Sequence, residues 1–257
     1  MKALSFQQPW GSLICSGLKH VENRTWALST LPVRILIHVG VKKVSGYNKD
    51  DYMPEQCLSL MRNARVMGYL PETEDLPYGA IIGWADVARC VEAGKNDSEI
   101  WADKDSIGWV LENVHILDKP IENVKGKLGL FDYPLDEGNL PPSHAAVFSD
   151  LESRGEEVVL PVNDKLWENI INGKEKIIVY DLTNDNVDLL MGEDGAIKPF
   201  KLINITNKGR SATYKLTEDT YIDTYLDEKE EPYFFTNLDG EECQWVFVQF
   251  GIGERVK

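Results

Sequence analysis

The sequence predicts a mainly β (α+β) protein: two small bent β-barrels in tandem, each with flanking helices. Three observations carry this. Short apolar runs rich in β-branched residues recur along the chain, punctuated by Gly, Pro, Asn and Asp. The helical periods are few and short. The order strand, helix, glycine, strand occurs twice in the chain. With 257 residues, 43% of them hydrophobic and 10% aromatic, the chain has the material for two packed domains.

Residues 3–6 read as a strand, broken by Gln7-Gln8-Pro9. Trp10, Leu13, Ile14 and Leu18 then recur at helical spacing, and Gly17 ends the helix as a C-cap glycine does. From 20 to 26 the residues alternate as in a strand. Glu22 and Arg24, two apart, share one face, and Lys19 enters from the preceding turn. A cation, an anion and a cation thus meet at a helix–strand junction. The ordinary reading is a solvated ion pair contributing about 0–1 kcal/mol. Residues 31–39 form an apolar run suited to a central strand. Residues 48–68 read as a helix, with Pro54 in its first turn, Gly68 as its cap, and Arg62 and Arg65 on one face. Strands are expected at 80–91, 108–114 and 124–131, with an acidic surface loop at 92–105.

The expected boundaries are a first domain at 1–133, a linker at 134–156 marked by Pro134, Pro141 and Pro142, and a second domain at 157–257. The second begins with a strand at 159–162, a helix through Leu166, Trp167, Ile170 and Ile171, Gly173, and a strand at 176–180. Aligning Gly17 with Gly173 sets Lys19 on Glu175, Glu22 on Ile178 and Arg24 on Tyr180. The frame repeats and the polar residues do not, so the second half reads as a degenerate copy.

The net charge of −15 argues against indiscriminate binding to phosphate backbones. The charge is uneven: 15 Lys and Arg stand against 17 Asp and Glu over residues 1–132, and 12 against 25 over the rest. Acidity belongs to the second half, which suits a basic protein partner. Cys15, Cys57, Cys90 and Cys243 lie too far apart for a metal knuckle or redox pair, and the four histidines show no i,i+4 pairing. No metal or cofactor is expected, and the thiols fit a reducing cytoplasm. No apolar run is long enough to span a membrane, and the N-terminus lacks a signal-peptide pattern.

Gly17-Leu18-Lys19-His20-Val21-Glu22-Asn23-Arg24 resembles the G-x-K-x-x-E-x-R signature of the ASCH family (activating signal cointegrator homology), which has the PUA-like fold. Gln8-Pro9-Trp10 before it resembles that family too, as do Ile35–His38, Gly108–Val114 and Gly126–Phe131 after it; the likeness spans residues 2–133. It implies a PUA-like barrel that binds RNA or a nucleotide-like ligand in a cleft. The implied binding residues are Gln8, Trp10, Lys19, Glu22, Arg24, His38, Lys42 and Trp109. Here Lys19 and Arg24 face a phosphate, Glu22 holds Arg24 or accepts from a base, and Trp10 or Trp109 stacks. For His38 the competing reading is a core histidine bonded to backbone. The tryptophans, likewise, pack more often than they present a face. Some small ASCH proteins resemble amidohydrolases of acylated cytidine that use a lysine, a threonine and a glutamate. Lys19 matches the lysine, but Glu22 stands where the threonine belongs, so the nucleophile is missing. RNA cleavage by Lys19, Glu22 and a tyrosine such as Tyr78 remains a second reading. An adaptor with an acidic protein-binding half is a third.

Overall fold

The computed structural model describes residues 1–43, 55–92, 101–103, 105–183, 186–236 and 242–257. They fall into two compact units. One draws on Met1–Tyr52 and Leu70–Phe148, the other on Met53–Tyr69 and Ser149–Lys257.

The first unit contains β1 (Lys2–Phe6), α1 (Trp10–Cys15), β2 (Val21–Arg24) and β3 (Val33–Val39). After α2 (Glu55–Met67), which groups with the second unit, come β4 (Ala80–Val91), β5 (Ile107–Ile121), β6 (Leu130–Asp132) and β7 (Ser143–Ala145). The sheet order is β2-β5-β4-β3-β1-β6, with β7 on β5. β1 and β3 run parallel, with Leu4 beside Ile37, and the other pairs are antiparallel. β3 is central, as its apolar run predicts. Its side chains alternate between two buried layers: Ile35, Ile37 and Val39 join Leu4, Phe6, Ile14 and Trp109, while Leu36 joins Ala3, Ile81, Trp84 and Phe131.

The sheet curls because β4 and β5 slip register at three places, and each bulge bends the strand that carries it. Gly83 lies among them. A Cβ there would stand 2.3 Å from the His115 carbonyl oxygen and 2.6 Å from Cys15 Sγ, so only glycine lets the strands and α1 close up.

Two expectations need adjusting. The strand expected at 124–131 is reduced to β6, because the chain turns through Gly129 at φ +66. The stretch 134–156, which its prolines mark as a linker, is partly strand: β7 pairs with β5, and β8 (Glu152–Arg154) pairs with β9 (Glu157–Pro161). Short three-residue strands leave little periodic signal, and the partner strand supplies their hydrogen bonds.

The second unit continues with α3 (Asp164–Ile171), β10 (Ile177–Asp181), α4 (Val187–Leu190), β11 (Leu202–Asn207), β12 (Arg210–Leu216) and β13 (Tyr221–Thr224). It ends with β14 (Phe234–Thr236), β15 (Glu242–Gln244) and β16 (Val246–Arg255). Its main sheet runs β10-β16-β12-β11-β9-β8, with β9 and β11 parallel. The run β10-β16-β12-β11-β9 has the order of β2-β5-β4-β3-β1, while the outermost strands differ: β6 follows those five in the chain and β8 precedes its own five. The Asn163 side chain caps α3 by accepting from Leu166 N at 2.7 Å.

α2 is bound to β10 through Asn63 and Arg62. The Asn63 amide donates to Asp181 O at 2.8 Å and accepts from Asp181 N at 2.9 Å, as a neighbouring strand would. Arg62 Nε meets the buried Asp181 carboxylate at 2.7 Å and lies over the Trp245 ring at 3.9 Å.

Candidate functional site

The centre is the junction between α1 and β2. Gly17 turns the chain at φ +77, where a Cβ would also press on Ala146 O at 3.0 Å. Gly17 N returns to Ile14 O and Lys19 N to Leu13 O, closing the helix end. This drives Lys19 inward: it is 3% exposed. Its ammonium donates to Val21 O, stands 3.7 Å from Glu22 Oε2, and lies 5.5 and 5.7 Å from the ring centres of Trp10 and Trp101. Those two rings meet edge to face. A buried ammonium between tryptophan faces is held by cation–π attraction as well as by charge.

Glu22 and Arg24 project from the same face of β2, as their spacing predicts. Arg24 Nη2 reaches Glu22 Oε1 at 2.9 Å and Ser5 O at 3.3 Å, and the guanidinium lies over Phe6. The Glu22 side chain is 13% exposed. Burial pushes its carboxyl above the usual range, against the opposing pull of Lys19 and Arg24. Arg24 Nε is buried and, among the described residues, has no hydrogen-bond partner. The arrangement is a desolvated triad with one net positive charge and one unspent donor.

The other expected site residues divide. Trp10 belongs to the centre and is partly exposed. Trp109 lies opposite Glu22 in the β2–β5 register but is fully buried; its indole donates to Trp26 O at 2.9 Å. Fully enclosed, it has no free face for stacking, which corrects the platform expectation. Gln8 is also buried and committed. Its amide donates to Ser12 Oγ and Pro77 O, and its oxygen accepts from Ser12 N, so it ties down the start of α1 and is not available to a ligand. His38 is 1% exposed, with Nε2 at 3.0 Å from Val124 O and Nδ1 at 3.1 Å from Ser5 Oγ. It is the core histidine of the competing reading. Lys42 is exposed beyond the end of β3. Pro54 and most of the loop expected at 92–105 lie outside the described residues.

Trp101, one of the tryptophans competing with Trp109 for a stacking role in the sequence, joins the site from an acidic stretch expected to be surface loop. Asn23 is a contributor the motif does not mark, passing for a variable position in the signature. Its amide donates to Trp101 O at 2.8 Å and accepts from Asp103 N at 2.9 Å, which sets Trp101 against Lys19.

A bent, mostly antiparallel sheet with a charged triad at its first helix–strand junction defines a small β-barrel module. The family model of the ASCH domain matches residues 4–122. Over those residues the chain matches an ASCH domain, a family of the PUA-like superfamily. No curated protein matches the chain. Among the described residues no helix is long and apolar enough to cross a membrane.

Proposed function

We propose that the ASCH domain binds single-stranded RNA at the triad of Lys19, Glu22 and Arg24, with Trp10 and Trp101 beside it. The observation that carries this reading is the partly exposed Arg24 guanidinium, held by Glu22 on one edge and set beside the buried Lys19 ammonium that Trp10 and Trp101 flank. An arginine held by a carboxylate on one edge keeps its other donors for a phosphate or a base acceptor. Trp10, partly exposed, adds a face suited to a base, and the buried Trp101 backs it edge to face. The second unit has five strands in the same order as the first and lacks the triad, and we read it as a relative that has lost this site. Ile178 and Tyr180, at the places of Glu22 and Arg24, are buried.

A hydrolase is the second reading, and the raised Glu22 carboxyl favours it, since a carboxyl displaced toward neutrality suits proton transfer. Incubating labelled single-stranded RNA with the full chain and resolving it on native and denaturing gels separates the two. A retarded, intact strand, with retardation lost in Arg24→Gln, supports the binding module. Shortened RNA that disappears in Glu22→Gln supports the hydrolase. Neither retardation nor cleavage at low salt overturns both.

A further inference from the structure

A second concavity in the first unit is not part of the triad. It is a cleft of about 490 Å³, walled by Val41, Pro77, Tyr78, Glu122, Val124 and Lys125. That volume suits a ligand the size of one nucleotide. Its floor stays open because Gly79, at φ +61, has no Cβ; one would stand 3.1 Å from Val41 Cγ1. Charge sets this rim apart from the rest of an acidic chain. Val41 is followed by Lys42 and Lys43, and the segment 118–127 carries Lys119, Lys125 and Lys127, all exposed, against the carboxylates Asp118 and Glu122. The wall is also braced from the triad's side. Arg24 donates to Ser5 O, Ser5 Oγ meets His38 Nδ1, and His38 Nε2 holds Val124 O. Gly126 leaves His38 its room, since a Cβ there would be 2.6 Å from His38 Cε1.

Resting on the RNA reading above, we infer that this cleft takes a further nucleotide of the same strand, with the base against Tyr78 and the phosphate on Lys125. An aromatic face, an apolar wall and a lysine at the lining, with further exposed lysines in the flanking segments, are elements of a single-strand groove. The test is fluorescence anisotropy of a short fluorescein-labelled single-stranded RNA with the full chain over a range of salt. Tyr78→Ala is expected to weaken binding about tenfold. Lys125→Gln, on an exposed side chain that does not threaten folding, lowers the slope of log affinity against log salt by about 0.7. Lys174→Gln, an exposed lysine of the second unit, serves as the unchanged control. If Arg24→Gln weakens binding while Tyr78→Ala and Lys125→Gln leave affinity and slope intact, the cleft inference falls and the triad reading stands. If only the cleft variants weaken it, the cleft stands and the triad reading falls. No binding by the wild type overturns both.

Discussion

Replacing Lys19 with methionine separates what the lysine does for the fold from what it does for a ligand. The ammonium is almost fully desolvated, a cost of several kcal/mol in real proteins. Against that stand one charge-assisted hydrogen bond to Val21 O, about 1.5–3 kcal/mol, and two tryptophan faces at up to about 2 kcal/mol each. The ion pair to Glu22 is long, at 3.7 Å, and Glu22 keeps Arg24 at 2.9 Å when Lys19 is gone. Gains and cost nearly cancel. Methionine preserves the stem, and its sulfur recovers about 0.3–1.5 kcal/mol against the rings. Lys19→Met should therefore change stability by no more than about 1 kcal/mol. Lys19→Ala also loses three methylenes, at about 0.8 kcal/mol each plus the cavity they leave, for a total of about 4–5 kcal/mol. Urea unfolding followed by tryptophan fluorescence measures both. If the two variants are equally destabilised, the stem contributes nothing and the reasoning fails. If Lys19→Met is as stable as predicted and no longer retards RNA, the ammonium acts on the ligand.

Other outcomes follow from the same geometry. Burial raises the Glu22 carboxyl, so the folded chain holds that proton more tightly than the unfolded one. The resulting stability is complete below the ordinary carboxyl range and is lost as pH rises through the raised value; Glu22→Gln should flatten that descending limb, and superimposable stability–pH curves would refute it. Asp181→Asn places an amide where the carboxylate accepts from Arg62, Tyr225 and Trp245, and should lower stability by about 2–4 kcal/mol in urea titrations, a loss under about 1 kcal/mol counting against the anchor. Gly83→Ala drives a methyl into His115 O and Cys15 Sγ and should cost about 1–3 kcal/mol; an unchanged melting temperature would show that the strands have room to part.

Where side chains alternate or recur over several residues, the sequence was readable. The short first helix, the Gly17 turn, the two-residue spacing of Glu22 and Arg24 and the central position of residues 33–39 all follow from local periodicity. What escaped were features set by distant partners. Nothing near Gln8 tells that Pro77 O and Ser12 will absorb its amide. Trp109 looked like a platform because its neighbours in sequence match a motif, yet β2 and the Trp26 carbonyl enclose it. Trp101 is held beside Lys19 in part by Asn23, 78 residues away in the chain. The bulges that bend β5 arise from pairing with β4, and a single strand's sequence does not announce them.

The grouping of α2 with the second unit has a practical consequence for anyone who wants either half alone. A fragment ending near residue 148 keeps α2 but strips it of β10, leaving Arg62 and Asn63 facing water on a helix with nothing to cover. A fragment starting near 149 uncovers the Asp181 backbone and leaves a buried carboxylate short of its cation. A bare strand edge of that kind invites pairing with another chain. Soluble halves call for a rearranged gene: residues 53–69 excised from the first piece, the gap bridged by a short loop, and the helix fused through a linker to the start of the second.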